Sequence, residues 1–244
     1  MTPPPGASRR IPFTHTRTTM TLDPKIKAIG FDMDGTVMNT KVDYGKLGRI
    51  FMDEFECQGV PGDIIERHLK TGSLDEGLSW LEANKPEAFA NFERRAGDRA
   101  TEVEMEFADQ AKPYPGTREL LEDLRRRGYK TAILTRGGHS YADYILSGSN
   151  MLGLFDAVIA RDDYPYKEAK PSKVAMEHMC GALGVGIDEV IFLGDGTTDY
   201  YTCVNSGTRF IGVETHLTRE GWEKAVGPSV ETIPLVADLR RYIG

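Results

Sequence analysis

The sequence predicts an α/β fold in which a mostly parallel sheet lies between layers of helices, with a small helical domain inserted near the start. Short apolar runs typical of buried strands alternate with helical patterns along most of the chain. One long stretch, residues 41–112, carries helical periodicity throughout and contains no strand candidate. Together these observations indicate an α/β core with an all-helical insertion.

The predicted strands are short apolar runs that are rich in β-branched residues and bounded by charged or turn-forming residues. They are Ile26 to Phe31, Thr131 to Thr135, Ala157 to Ala160, Val190 to Gly194 and Phe210 to Val213. Between them, Thr117 is expected to cap a helix that stops at Gly128, and Pro171 is expected to begin one that stops at Gly184. Because strand and helix alternate, most of the strands should pair in parallel.

The chain divides into a tail, a core and the insertion. After Lys112, two prolines and a glycine in Pro113-Tyr114-Pro115-Gly116 make a stiff return from the helical stretch. We therefore predict a tail at 1–22, an α/β core formed by 23–40 and 113–244, and a helical domain at 41–112. The tail has no acidic residue before Asp23, which favours a disordered segment, with an organelle-targeting peptide, or an upstream extension of a protein that starts at Met20, as the alternatives.

Composition limits the class of protein. The 244 residues, of which 40% are hydrophobic, suit a soluble monomer or homodimer with one sizeable core. The formal net charge of -7 disfavours nucleic acid and anionic membranes as partners, because both require a basic surface. No apolar run approaches the roughly 18 residues that a membrane span needs. The widely spaced Cys57, Cys180 and Cys203 are expected to be reduced, buried thiols in a cytoplasmic protein.

Polar residues follow several predicted strands, which is where ligands bind in a parallel α/β sheet. They are Asp32 and Asp34 after the first strand, Thr135 and Arg136 after the second, Lys170 before the helix at Pro171, and Asp195 and Asp199 after the fourth. Gly35 permits a turn that lets Asp32 and Asp34 face one pocket. A helix would place Asp195 and Asp199 on one face.

The carboxylates in this set indicate a cation. If Asp32, Asp34 and Asp195 converge, each pair repels by roughly 4 kcal/mol at about 4 Å and an effective dielectric constant of about 20, so a cation or a shared proton must compensate. A ligand set of oxygens alone favours Mg2+, with calcium and manganese as alternatives. Lys170 and Thr135 add a positive charge and a hydroxyl donor, which together suit a phosphoryl group.

The ordered set of motifs resembles the haloacid dehalogenase (HAD) superfamily. The motifs are Asp-Met-Asp-Gly-Thr at 32–36, Thr135 at a strand end, Lys170-Pro171, and Gly-Asp-Gly-Thr-Thr-Asp at 194–199. The resemblance covers Ile26 to Val213 and implies a Rossmann-like three-layer α/β/α core. The helical stretch falls where phosphoglycolate phosphatases and β-phosphoglucomutases carry a small helical cap domain.

The resemblance assigns a role to each of the carboxylates. Asp32 would be the nucleophile and a Mg2+ ligand, forming an aspartyl-phosphate intermediate. Asp34 would be the general acid and base, and its backbone carbonyl would complete the metal shell. Asp195 would bind the metal directly, whereas Asp199 would orient water or the nearby lysine.

The resemblance also assigns the groups that bind the substrate. Thr135 would bind the transferring phosphate together with the backbone amides of Met33 and Arg136, and Lys170 would neutralise the nucleophile and the phosphate. Arg136 stands where many relatives carry a small polar residue, which affects the fit of the substrate. In the cap, Lys70 and Thr71 would read the leaving group, and a plain helix end stopped by Gly72 is the alternative.

The implied activity is that of a Mg2+-dependent phosphatase acting on a small phosphorylated metabolite, with phosphoglycolate or a sugar phosphate as the substrate. A phosphomutase that uses the same aspartyl phosphate is the alternative. Dehalogenation is disfavoured because that chemistry needs no magnesium and no second carboxylate at position 34. A non-catalytic binding protein is disfavoured because every expected catalytic position carries a competent side chain.

Overall fold

The computed structural model describes residues 22–71 and 74–243, with the side chains of 68–71, 75 and 90 excepted. The predicted tail lies outside these residues apart from Leu22. The strands are β1 (Ala28–Phe31), β2 (Met38–Asn39), β3 (Lys112–Pro113), β4 (Lys130–Leu134), β5 (Ala157–Ile159), β6 (Val190–Gly194), β7 (Arg209–Val213) and β8 (Thr232–Ile233). Each predicted strand is therefore present, with its bounds shifted by at most two residues.

Six of these strands form one parallel sheet in the order β5-β4-β1-β6-β7-β8. The chain builds outward from β1 on one side through β4 and β5, and then returns to the other side through β6 to β8. This reversal opens a crevice at the carboxyl ends of β1, β4 and β6, which is where a ligand site is expected. The two-residue strands β2 and β3 pair in antiparallel fashion beside it.

Helices cover both faces of the sheet. The helices are α1 (Tyr44–Cys57), α2 (Gly62–Thr71), α3 (Asp75–Asn84), α4 (Pro86–Met105), α5 (Thr117–Arg126), α6 (His139–Gly148), α7 (Lys173–Leu183), α8 (Thr197–Ser206) and α9 (Arg219–Val226). Side chains alternate along β1, so Ile29 and Phe31 pack in the core that α5 and α6 share, whereas Ala28 packs with α7. The predicted three-layer α/β/α core is confirmed.

Helices α1 to α4 occupy the stretch between β2 and β3. They share an apolar core of their own, in which Phe55 stacks on Phe92 with ring centroids 5.0 Å apart, and Leu81 is fully buried. Because β2 and β3 pair with each other, the chain leaves and re-enters the α/β core at neighbouring points. The division into a core and a cap at residues 41–112 remains our prediction.

Two expected helix starts are wrong by one or two residues. Gly116, at φ 77°, is the N-cap of α5, so Thr117 is already the first helical residue and its buried hydroxyl has no partner among the described residues. Helix α7 begins after Pro171, because the Ser172 side chain accepts a hydrogen bond from the Val174 amide and so caps the helix. The predicted stop at Gly184 is confirmed, with φ 64°.

The prediction that the cysteines are buried is correct for two of the three. All three cysteines are free, and Cys180 and Cys203 are buried, but Cys57 is exposed at the end of α1. Its expected burial is wrong because Cys57 lies on the exposed side of the last turn of α1, whereas Phe55 on the other side is fully buried. In the described ranges, no helix combines the length and the apolar character needed to cross a membrane.

The amide of Leu22 donates to the Tyr242 carbonyl at 2.7 Å, which brings the two ends of the described chain together.

Candidate active site

The crevice at the carboxyl ends of the central strands is a cavity of about 590 Å3. Asp32 follows β1, Thr135 follows β4 and Asp195 follows β6, so adjacent strands bring these residues together. The sequence-predicted residues that line the cavity are Asp32, Asp34, Thr135, Arg136, Lys170, Asp195 and Asp199. Residues far apart in the sequence therefore meet at one edge of the sheet.

Lys170 lies at the centre of this arrangement. Its ammonium group donates to Asp32 Oδ1 at 2.7 Å and to Asp199 Oδ1 at 2.6 Å, and the lysine is 4% exposed. Burial alone would lower the pKa of Lys170, but the Asp199 and Asp32 carboxylates raise it above its ordinary value. The lysine therefore stays charged, and it fixes one oxygen of each carboxylate.

Asp195 is held against the turn that follows β1. Its Oδ1 accepts a hydrogen bond from the Thr36 hydroxyl at 3.2 Å. A Cβ atom added to Gly35 would lie 2.1 Å from Asp195 Oδ2, so only glycine permits this approach. Thr215 fixes the same turn by donating its hydroxyl hydrogen bond to the Gly35 carbonyl. The turn and the end of β6 are thus built to bring carboxylates together.

Asp199 occupies the first turn of α8, where its Oδ2 accepts a hydrogen bond from the Gly196 amide at 3.1 Å. The prediction that Asp195 and Asp199 share one helical face is wrong, because Gly196 is an extended N-cap and Asp195 lies before the helix. Both oxygens of Asp199 are hydrogen-bonded, one to Gly196 and one to Lys170. This geometry suits a residue that orients its neighbours.

The carboxylates fit a divalent cation. Oxygen atoms of Asp32, Asp195 and Asp199 lie within 4.8 Å of one another, and the one lysine among them cannot neutralise all three. Burial raises the pKa of each of these carboxyls to about 6 from 3.8, and repulsion between neighbouring carboxylates contributes. A cation would offset the repulsion between these buried carboxylates, and a set of carboxylate oxygens of this kind suits Mg2+.

Asp34 points to a different set of partners. Its Oδ1 accepts a hydrogen bond at 2.7 Å from the hydroxyl of Tyr141 in α6, whose side chain is buried. Burial raises the pKa of Asp34, although the Tyr141 hydrogen bond acts in the opposite direction. The Asp34 side chain is therefore separate from the three clustered carboxylates, and its raised pKa suits a group that exchanges a proton.

Thr135 and Arg136 form the start of a loop that enters α6. The Thr135 oxygen accepts a hydrogen bond from the Gly137 amide at 2.9 Å, which leaves its hydroxyl hydrogen free to donate. The Arg136 guanidinium donates to the Tyr166 hydroxyl at 2.9 Å. Tyr166 in turn packs against Phe51 of α1 with ring centroids 5.4 Å apart. The arginine side chain thus lies between the sheet and the helical insertion.

A model of the haloacid dehalogenase-like hydrolase family matches residues 26–207. The chain belongs to this family. The resemblance drawn from the four sequence motifs and the expectation of a hydrolase are therefore confirmed.

Among its relatives, a phosphoglycolate phosphatase from Pasteurella multocida is 24% identical over 197 residues, covering 78% of this chain and 86% of the relative. Pyrophosphatase PpaX from Halalkalibacterium halodurans is 25% identical over 233 residues, covering 88% and 97%. The crystal structure of CbbY from Rhodobacter sphaeroides in complex with phosphate superposes with a TM-score of 0.57 at 22% identity, covering 88% of this chain and 96% of CbbY. That likeness shows that the two proteins share a fold.

The helical insertion of this HAD-family chain forms the other wall of the cavity. That wall is largely apolar and includes Val42, Tyr44, Leu47, Phe51 and Leu74. The predicted leaving-group residues Lys70 and Thr71 end α2, but their side chains lie outside the described part of the structure, as do residues 72 and 73.

Sequence reasoning missed several residues that line the cavity, chiefly Glu104, Arg161 and His216. Arg161 directly follows the predicted strand Ala157 to Ala160, so the strand-end rule that selected the aspartates could have selected it. Glu104 lies in the middle of a helical pattern and gave no comparable signal. His139, at the start of α6, bonds Asp163 through Nδ1 at 2.9 Å and is not among the lining residues.

Proposed function

We propose that this HAD-family hydrolase is a Mg2+-dependent phosphatase that removes phosphate from a small phosphomonoester through an aspartyl phosphate on Asp32. The observation that carries the proposal is the buried bridge from Lys170 to Asp32 and Asp199. A lysine that holds one oxygen of a strand-end carboxylate leaves the other oxygen oriented for attack on phosphorus. The phosphatases among the relatives support a phosphate ester as the substrate.

The reaction is a double displacement. Asp32 attacks phosphorus, the bond from phosphorus to the ester oxygen breaks, and Asp34 gives its proton to the departing alkoxide. Asp34 then takes a proton from water, whose oxygen attacks the aspartyl phosphate and releases inorganic phosphate. The raised pKa of Asp34 supports this role, because the carboxyl must be protonated in the first half of the cycle.

The remaining residues hold the phosphate and the cation. Thr135 donates its free hydroxyl hydrogen to a phosphate oxygen, and the Met33 and Arg136 amides are proposed to do the same. Asp32, Asp195 and the Asp34 carbonyl would hold Mg2+, while Asp199 orients Lys170. When bound, Mg2+ would supply positive charge that offsets repulsion between the nucleophile and the phosphate.

The cavity favours a small metabolite. Its volume of about 590 Å3 is shared between a charged floor at the sheet and an apolar wall of helices, which suits a compact organic phosphate. We propose phosphoglycolate or a sugar phosphate as the substrate class, and Lys70 and Thr71 remain proposed contacts to the leaving group.

The decisive test is Asp32→Asn assayed against p-nitrophenyl phosphate with Mg2+. We expect kcat to fall by about 10⁴-fold or more, because the amide cannot act as the nucleophile. The matched control is Asp98→Asn on the exposed face of α4, where the carboxylate pairs loosely with Arg94 at 3.7 Å, and it should retain full activity.

Full turnover by Asp32→Asn would refute the nucleophile assignment. The same assay, run on phosphorylated metabolites, distinguishes a phosphatase from a phosphomutase. Stoichiometric release of phosphate without a bisphosphate activator supports the phosphatase, whereas turnover that requires a bisphosphate and releases little phosphate supports the mutase.

A further inference from the structure

A buried ion pair joins the helical insertion to the sheet beside the proposed phosphate site. Glu104, in the last turns of α4, and Arg161, after β5, are 4% and 6% exposed. Arg161 Nη1 lies 2.5 Å from Glu104 Oε1, and Nη2 lies 3.2 Å from Oε2. The fork of the guanidinium thus meets both carboxylate oxygens, the strongest geometry available to such a pair.

The same two side chains hold both ends of the loop 136–138. Arg161 Nη1 donates to the Arg136 carbonyl at 3.0 Å, while Glu104 Oε2 accepts from the Gly138 amide at 3.0 Å. Gly137 lies between them, and its amide is bound to Thr135. Every residue of the loop is therefore anchored by a hydrogen bond to its backbone.

Further contacts fix Arg161 to α4. Its Nη2 donates to the Thr101 hydroxyl at 2.8 Å and to the Gly97 carbonyl at 3.2 Å. A Cβ atom added to Gly138 would lie 2.4 Å from Thr101 Oγ1, so the loop and the helix are in direct contact. Movement of the end of α4 away from the sheet would break this network and leave a buried charge unpaired, which is strongly unfavourable.

We propose that Glu104 and Arg161 are positioning residues that tie α4 to the loop 136–138 and hold that loop in the geometry that binds phosphate. The inference rests on the proposed function, because the Thr135 hydroxyl and the Arg136 amide are the groups being positioned. It predicts that the fit of the phosphate depends on a helix of the insertion that supplies no nucleophile, acid or metal ligand.

The test uses the full chain with Mg2+ and the variants Glu104→Ala and Arg161→Met. We expect the inhibition constant for inorganic phosphate and the KM for p-nitrophenyl phosphate to rise roughly 10-fold to 100-fold, because displacement of a positioning loop by about 1 Å has effects of that size. The Glu104→Gln variant keeps an acceptor for the Gly138 amide and should show a smaller rise of about threefold.

The matched control is Glu54→Gln. Glu54 is a buried carboxylate of α1 that pairs with Arg95 at 3.3 Å and with Arg99 at 3.2 Å, both on α4. Removing the negative charge of Glu54 should lower the melting temperature and change the inhibition constant for phosphate by less than about twofold, because within the described ranges the side-chain hydrogen bonds of Glu54 run only between α1 and α4.

The possible results distinguish a failure of the proposed function from a failure of this inference. A wild-type protein that neither binds nor releases phosphate would overturn the proposed function and this inference with it. Wild-type activity together with unchanged phosphate inhibition in Glu104→Ala and Arg161→Met would overturn the inference alone, as would an equal rise in Glu54→Gln. If Glu104→Ala does not fold, Glu104→Gln and Arg161→Met give the same decision.

Discussion

Tyr141 and Asp34 form a contact that joins a buried phenol to the proposed general acid. The phenol is 1% exposed and its hydroxyl lies 2.7 Å from Asp34 Oδ1. Burial and the nearby Asp34 carboxylate raise the pKa of Tyr141 above its ordinary value, so the hydroxyl remains a hydrogen-bond donor at neutral pH. The contact fixes the rotamer of Asp34 and therefore the position from which its proton leaves.

We expect Tyr141→Phe to lower kcat for an alkyl phosphate by about 10-fold to 100-fold, the equivalent of one hydrogen bond to a charged group. The loss should be smaller for p-nitrophenyl phosphate, since a good leaving group needs less help from an acid. Measuring kcat for both esters in one preparation gives the comparison.

Tyr144 on the same helix provides the control for that variant, because its side chain is 49% exposed. Tyr144→Phe should leave both rates unchanged. Equal losses on the alkyl and aryl esters in Tyr141→Phe would count against an effect through Asp34.

For single residues of the site, the sequence predicts those that follow strands. It does not reveal residues that are distant in the sequence and meet only in the folded protein. Asp32, Thr135 and Asp195 could be found because each follows an apolar run, and a parallel sheet aligns such positions. Tyr141 could not be found, because 107 positions separate it from Asp34 and no local pattern links the two. The same reason hides the contact between Glu104 and Arg161.

The turn after β1 is the element on which the proposed metal site depends most. Gly35 has φ 76°, in the left-handed region, and lies directly against the Asp195 carboxylate. A side chain here would therefore be strained by the backbone and would also occupy the space of a metal ligand.

We expect Gly35→Ala to destabilise the fold by at least about 1–2 kcal/mol for the left-handed backbone alone. Displacement of Asp195 should also weaken Mg2+ binding, which titration calorimetry would measure as a raised dissociation constant.

Gly207→Ala separates these two effects, because Gly207 ends α8 at φ 80° with no atom within 4 Å of its added Cβ. It should cost a similar backbone energy and leave Mg2+ affinity unchanged. Unaltered metal binding in Gly35→Ala would argue against the proposed place of Asp195 in the site.

Among elements, the longest were the most predictable. The five strands of three to five residues were expected from their apolar runs, whereas β2, β3 and β8 have two residues each and carry no periodicity of their own. Their pairing depends on the position of neighbours, as for β8, which extends the sheet only because β7 is already in place. The N-cap of α5 was predicted one residue too late, because Gly116 and Thr117 are both compatible with a helix start.

At the scale of the molecule, three carboxyl groups with raised pKa values meet at one edge of the sheet. Asp32, Asp195 and Asp199 have a pKa of about 6 in the fold and 3.8 as free side chains. At pH values near 3.8, such a carboxyl binds its proton more tightly in the folded state, and this stabilises the fold. The stabilisation is lost as the pH rises through about 6. The metal-free protein should therefore become less stable over this interval.

We expect the melting temperature of the EDTA-treated protein to fall between pH 5 and pH 7.5, and Mg2+ to raise it more at pH 7.5 than at pH 5. Differential scanning calorimetry at both pH values, with and without Mg2+, measures the effect. In Asp195→Asn, which has one fewer titrating carboxyl, the dependence on pH should be weaker. A melting temperature that rises over this interval in the metal-free protein would contradict the assignment.

The hydrogen bond from Leu22 to Tyr242 has a practical consequence for handling the protein. Leu22 leads into the amino end of β1, whereas substrate would enter beyond the carboxyl ends of the strands. Affinity tags or fluorescent proteins that are fused before Leu22 or after Tyr242 would be attached at neighbouring points, at the end of the sheet opposite the cavity. Either attachment should leave entry to the cavity open, so immobilised or tethered forms of the protein are suited to turnover measurements.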